Sequence, residues 1–64
     1  MKIFIERTKE TEEFYFSGRV DELLRKLGFV SEEVLVVKNG ELVTEDENLS
    51  DEDEVKLLSV VSGG

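Results

Sequence analysis

Sixty-four residues with 16 acidic and 8 basic side chains, a net charge of −8, and no Cys, His, Trp or Pro amount to one small domain at most. Such a chain buries only about 60% of the surface its unfolded form exposes, which leaves no room for a deep catalytic pocket, and the missing Cys and His remove disulfides, thiolate chemistry and the commonest general base and metal ligand. The acidic balance argues against direct binding to nucleic acid or anionic membranes, both of which need basic patches, and favours basic protein partners.

From the start, Met1-Lys2-Ile3-Phe4-Ile5-Glu6 meets a charge after three apolar residues, so no signal peptide is expected. No segment approaches the roughly 20 apolar residues of a membrane span, and the cytoplasm is the expected location. Residues 1–7 alternate, with Ile3 and Ile5 on one face and Lys2, Phe4 and Glu6 on the other, the pattern of a half-buried strand. Thr8-Lys9-Glu10-Thr11 reads as a turn. Residues 12–16, with Phe14-Tyr15-Phe16, have the β-propensity of a second strand closing a hairpin.

Ser17 or Gly18 is expected to cap a helix over residues 19–27. Asp21 and Glu22 fall in its first turn and Arg25 and Lys26 in its last, matching the helix dipole at both ends. Val20, Leu23, Leu24 and Leu27 form one apolar stripe, and Gly28 stands where a left-handed terminating residue belongs. Val34-Leu35-Val36-Val37 is apolar at every position, which suits a strand covered on both faces or on one face plus an interface. Asn39-Gly40 is a strong hairpin-turn signal, followed by a short strand at Glu41-Leu42-Val43.

Residues 44–53 read as an acidic loop in which Leu49 plugs the core. A calcium loop starting at Asp46 would put Asp51 where Gly is needed and Leu57 where the bidentate Glu belongs, so Asp51 to Glu54 is read as solvated and no metal or cofactor is expected. Residues 55–61 form the last strand. Val55 and Leu57 are expected to face the core, and Lys56, Leu58 and Val60 to face out, with Phe4 alongside. The five lysines are expected to face solvent. The order β-β-α-β-β-β is an α+β pattern, one helix on a mixed sheet. The domain is expected to span residues 1–61, with residues 62–64 a flexible tail. Gly63-Gly64 has no side chain to pack and suits a thin, unhindered terminus that a partner threads into a narrow site.

The chain resembles the ubiquitin-like β-grasp sulfur carriers: the thiamine-pathway carrier, the small subunit of molybdopterin synthase and the small archaeal ubiquitin-like modifiers. The stretches that carry the resemblance are Val20-Asp21-Glu22-Leu23-Leu24-Arg25-Lys26-Leu27-Gly28, Val37-Lys38-Asn39-Gly40-Glu41, Asp51-Glu52-Asp53-Glu54-Val55 and Val61-Ser62-Gly63-Gly64, in that order. Glu52 stands where the family often has Gly, and Ser59-Val60 where molybdopterin-synthase subunits often have Pro-Pro. The resemblance implies a monomeric protein co-substrate rather than an enzyme. An ATP-dependent activating enzyme would adenylate the Gly64 carboxylate, Ser62 and Gly63 would lie extended in its channel, and a sulfur-acceptor enzyme would receive the resulting thiocarboxylate. Leu58, Val60 and Phe4 would then lie on the partner-binding sheet face. Three further readings stay open: a modifier joined to lysines of other proteins, a plain β-grasp interaction module whose Gly-Gly is incidental, and a regulatory subunit of an enzyme whose tail enters the partner's active site.

Overall fold

The computed structural model describes residues 1–60. The expected end of the last strand at Val61, and the tail residues Ser62, Gly63 and Gly64, lie outside the described residues. Strand β1 (Lys2–Ile5) pairs antiparallel with β2 (Glu10–Glu13), Ile5 opposite Glu10. Helix α1 (Val20–Leu27) follows, with the two-residue strand β3 (Gly18–Arg19) directly before it. After a 3₁₀ turn at Ser31–Glu33 come β4 (Val34–Lys38), β5 (Glu41–Val43), the two-residue β6 (Asn48–Leu49) and β7 (Glu54–Ser59). The main sheet runs β2-β1-β7-β4-β5, and β3 pairs with β6 beside it. The central pair β1–β7 is parallel and the others are antiparallel. One helix held in a curled mixed sheet is the β-grasp arrangement.

The core lies between α1 and one face of this sheet. Ile3, Val20, Leu23, Val55 and Leu57 are fully buried there. The period of two puts Ile3 and Ile5 of β1, Val34 and Val36 of β4, and Val55 and Leu57 of β7 on that face. Leu49 fills the core from the long loop. The all-apolar run in β4 is covered on one face only: Leu35 remains 44% exposed.

The second strand departs from expectation. It occupies residues 10–13, all exposed, not the aromatic stretch 12–16. The turn falls at residues 6–9, where Lys9 takes a left-handed φ of 58°, and this pulls the strand toward the N-terminus. Phe14 and Phe16 leave the sheet edge to pack on the core, while Tyr15 is 79% exposed.

The helix start also differs. Arg19, not Ser17 or Gly18, is the N-cap residue. Its N–H is satisfied from within the helix by Glu22 Oε1 at 2.9 Å. The carbonyls of Glu47 and Glu45 accept the N–H groups of Val20 and Asp21, each at 2.9 Å. The loop that looked unstructured therefore supplies the acceptors that a Ser or Asp cap would otherwise give. At the other end Gly28 has φ 84°, and the N–H groups of Gly28 and Phe29 donate to Arg25 and Leu24 at 3.2 and 2.8 Å, a Schellman ending.

Asn39 and Gly40 have φ 50° and 87°, the left-handed pair of a type I′ turn. The Asn39 side chain fastens this turn to the approach of β7. It donates to Asp53 Oδ1 and accepts the Glu54 N–H, both at 2.9 Å. Asp53 Oδ2 accepts the Ser50 N–H at 2.8 Å. These bonds, the one from Ser50 foremost, hold the Asp53 carboxyl below the usual carboxylate range. A carboxyl whose folded pKa is depressed stabilises the fold above its unfolded pKa, about 3.9, and that stabilisation is lost as pH falls through the folded value. Urea midpoints measured from neutral pH downward should therefore fall below about pH 4. Asp53→Asn should lower the neutral midpoint and flatten the acid limb; an unchanged acid limb would remove Asp53 from this account.

Candidate functional site

The sheet face turned away from α1 is the candidate site. Strand registers place Thr11, Phe4, Lys56, Val37 and Leu42 in one row across all five strands. In the next row Leu58 stands opposite Leu35. Leu42 is 64% and Leu35 44% exposed, and Phe4, Val37 and Leu58 are half-buried. Leu42 and Leu35 are thus large apolar side chains facing water, which makes this face the candidate interaction surface. Lys56 stands among them with no ion-pair partner among the described residues. A depression of about 340 Å³ lies beside it, lined by Lys2, Phe4, Thr11, Glu54, Val55 and Lys56. Glu13 and Glu54 edge the face and give it an acidic margin.

At the upper end of the face the last strand is held on both sides. The Ser59 N–H donates to Glu6 Oε1 at 2.8 Å, and the Val60 N–H donates to the Glu33 carbonyl at 3.1 Å. The Arg7 guanidinium lies 4.9 Å from the centre of the Phe29 ring and reaches Glu33 Oε2 at 3.3 Å. Val60 itself is 42% exposed.

Another depression, about 460 Å³, opens between α1 and β4–β5, lined mostly by apolar groups with Ser31, Glu32, Thr44 and Glu45. Within it Ser31 Oγ donates to the neighbouring Glu32 Oε1 at 3.5 Å on the exposed surface, too long a contact to activate a nucleophile. No group of three or more potential metal ligands occurs among the described residues. Among those residues no helix is long and apolar enough to cross a membrane. One lysine departs from the expected solvent position: Lys38 is half-buried, 3.1 Å from Glu47 Oε2 and from the Asn48 carbonyl, and 3.9 Å from Asp53. The hydrogen bond to Glu47 raises its pKa. This cluster ties β4 to the long loop and is structural.

Residues 3–64 match the ThiS family. The chain belongs to the ThiS family. Among solved structures, this ThiS-family chain is similar to the solution structure of a thiamine biosynthesis protein from Geobacter metallireducens. The two are 29% identical, the match covers 100% of this chain and 88% of that one, and the TM-score is 0.61. The β-grasp assignment thus rests on topology, family and neighbour together.

In this ThiS-family chain the structure puts Phe4 and Leu58 on the same sheet face and Val60 just past the end of β7. Ser62, Gly63 and Gly64 fall outside the described residues, though within the family match. The sequence reading missed Leu35, Val37 and Leu42 as members of the face, although the unbroken run 34–37 had left an interface open for that strand. It also missed Glu6 as a partner of β7. Both depend on strand register: the first on the antiparallel β4–β7 and β4–β5 pairings and the second on the parallel β1–β7 pairing.

Proposed function

We propose that this chain is a sulfur carrier that works through the carboxylate of Gly64. The domain of residues 1–61 presents residues 62–64 to an ATP-dependent activating enzyme, which docks on the sheet face around Phe4, Leu58 and Val60. The carboxylate oxygen attacks the α-phosphorus of ATP and pyrophosphate leaves, giving an acyl-adenylate. Hydrosulfide then adds to the acyl carbon, AMP departs with one of the carboxylate oxygens, and the thioacid loses its proton to leave a thiocarboxylate for a sulfur-acceptor enzyme in cofactor biosynthesis or tRNA thiolation. Adenylation converts a poor electrophile into a good one because adenylate is a far better leaving group than oxide. A Cβ at position 63 or 64 would crowd that carbon, and with no Cys in the chain no internal thiol competes for it. The chain acts as a co-substrate and not as an enzyme, and it works in the cytoplasm.

One observation carries this reading: the ThiS-family match extends through Gly64. Incubating the full chain with an activating enzyme, ATP and a sulfur donor, followed by intact-mass measurement, tests it. Exchange of one oxygen for sulfur is expected, and deletion of Gly64 should abolish the exchange. A wild-type chain that stays unmodified, or a deletion variant modified equally, rules the reading out. Recovery of the chain joined to lysines of other proteins, with no sulfur exchange, would make it a modifier instead.

A further inference from the structure

We infer that Glu6 is a positioning residue for the reaction at the C-terminus, acting through the backbone of Ser59; this rests on the sulfur-carrier reading. In a parallel pair, a residue that donates its N–H to one partner residue normally accepts, on its own carbonyl, the N–H two positions further along the partner strand. The Glu6 N–H donates to the Leu57 carbonyl at 3.0 Å. The Glu6 carbonyl should therefore accept the Ser59 N–H. It does not, because the chain turns away at this point and the Glu6 carbonyl accepts the Lys9 N–H instead, at 3.2 Å. The Glu6 side chain fills the gap: its Oε1 accepts the Ser59 N–H at 2.8 Å.

The ladder between β1 and β7 is thereby extended by one rung beyond the point where the β1 backbone can supply it. That rung uses an ionised acceptor, which makes a shorter and stronger bond than a neutral carbonyl. On the opposite side of the strand the Glu33 carbonyl holds the Val60 N–H, and Arg7, lying over the Phe29 ring, pairs with the Glu33 carboxylate. The chain thus reaches Val60 with its course fixed from two sides. Without Glu6, Ser59 would have no acceptor on the β1 side, and the chain would leave the sheet at Val60 with its direction held from one side only. A partner docked on the sheet face would then meet the reacting end at a lower effective concentration. Docking itself would be untouched, since Glu6 acts on the exit of the strand and not on the apolar face.

The test compares Glu6→Ala, which removes the acceptor, with Glu6→Gln, which keeps a neutral one. Three quantities are measured on each full chain: amide hydrogen exchange at Ser59, the Kd for the activating enzyme without ATP, and kcat for adenylation by pyrophosphate release. Glu6→Ala should exchange at Ser59 roughly tenfold faster, the scale of one charge-assisted hydrogen bond, and lose several-fold in kcat, while Kd stays unchanged. Glu6→Gln should recover most of both losses. Unchanged Ser59 exchange, or faster exchange with unchanged kcat, overturns the inference alone. So does a Kd that weakens as much as kcat falls, since Glu6 would then be a contact residue. A wild-type chain that is never adenylated overturns the sulfur-carrier reading and this inference with it. Glu6 is half-exposed, and a thermal unfolding curve for each variant confirms that the fold is intact.

Discussion

Replacing Leu57 by Ala should destabilise the fold by about 2–5 kcal/mol, the usual range for a buried leucine that leaves a cavity. The upper half of that range is expected here. Leu57 is 1% exposed and sits at the middle of the sheet, opposite Ile5 on one side and Val36 on the other. Both neighbours belong to paired central strands, so neither can move in to fill the space. For a domain of this size, total stability is roughly 3–10 kcal/mol. The variant should therefore show a urea midpoint no more than about two thirds that of the parent, or be partly unfolded in water. In thermal terms the loss corresponds to a Tm lower by roughly 10–20 °C or more. A loss under about 1 kcal/mol would mean that the core is more plastic than such burial allows.

The features legible in the sequence were those set by local chemistry. The stripe Val20, Leu23, Leu24, Leu27 with Gly28 behind it gave the helix and its end. Asn39-Gly40 gave the turn, because two consecutive positive φ values demand such residues. Alternation gave the inward faces of β1 and β7. The features that did not show were set by distant contacts. The helix begins at Val20 without a Ser or Asp cap because carbonyls of Glu45 and Glu47, about 25 residues away in the chain, take its first N–H groups. The second strand stops at Glu13 because Phe14 and Phe16 gain more by packing on the core than by extending an exposed edge. Here burial overrides the β-propensity of the aromatic run.

The candidate site divides in the same way. Leu58 and Phe4 could be placed on the outer face by counting along their strands. Leu35, Val37 and Leu42 joined them only once β4 was known to lie beside β7. Lys38 looked like another surface lysine, and only the fold of residues 44–53 brings Glu47 and Asp53 to it.

Leu58→Lys should leave the fold nearly intact and weaken docking to the activating enzyme by about 100-fold or more. Leu58 follows Leu57 directly in the chain, yet its side chain points to the opposite face, so neighbouring substitutions separate stability from recognition. On this face it stands opposite Leu35 and one row from Lys56. A lysine there loses little folding energy, because its stem covers the same half-exposed apolar surface while its ammonium stays in water. In the complex that ammonium has no acceptor waiting for it and must be stripped of water. An unpaired buried charge of this kind costs about 3–5 kcal/mol, which is the basis for the 100-fold figure. Tyr15→Lys is the matched control: it makes the same change in charge at an exposed position outside the strands of the sheet, and it should leave Kd unchanged. Titrating both variants against the activating enzyme by calorimetry, with unfolding curves alongside, decides the matter. Equal affinity of the Leu58 variant and the parent would mean that the partner reads another surface, because a docked apolar face cannot accept an unpaired ammonium at its centre without loss.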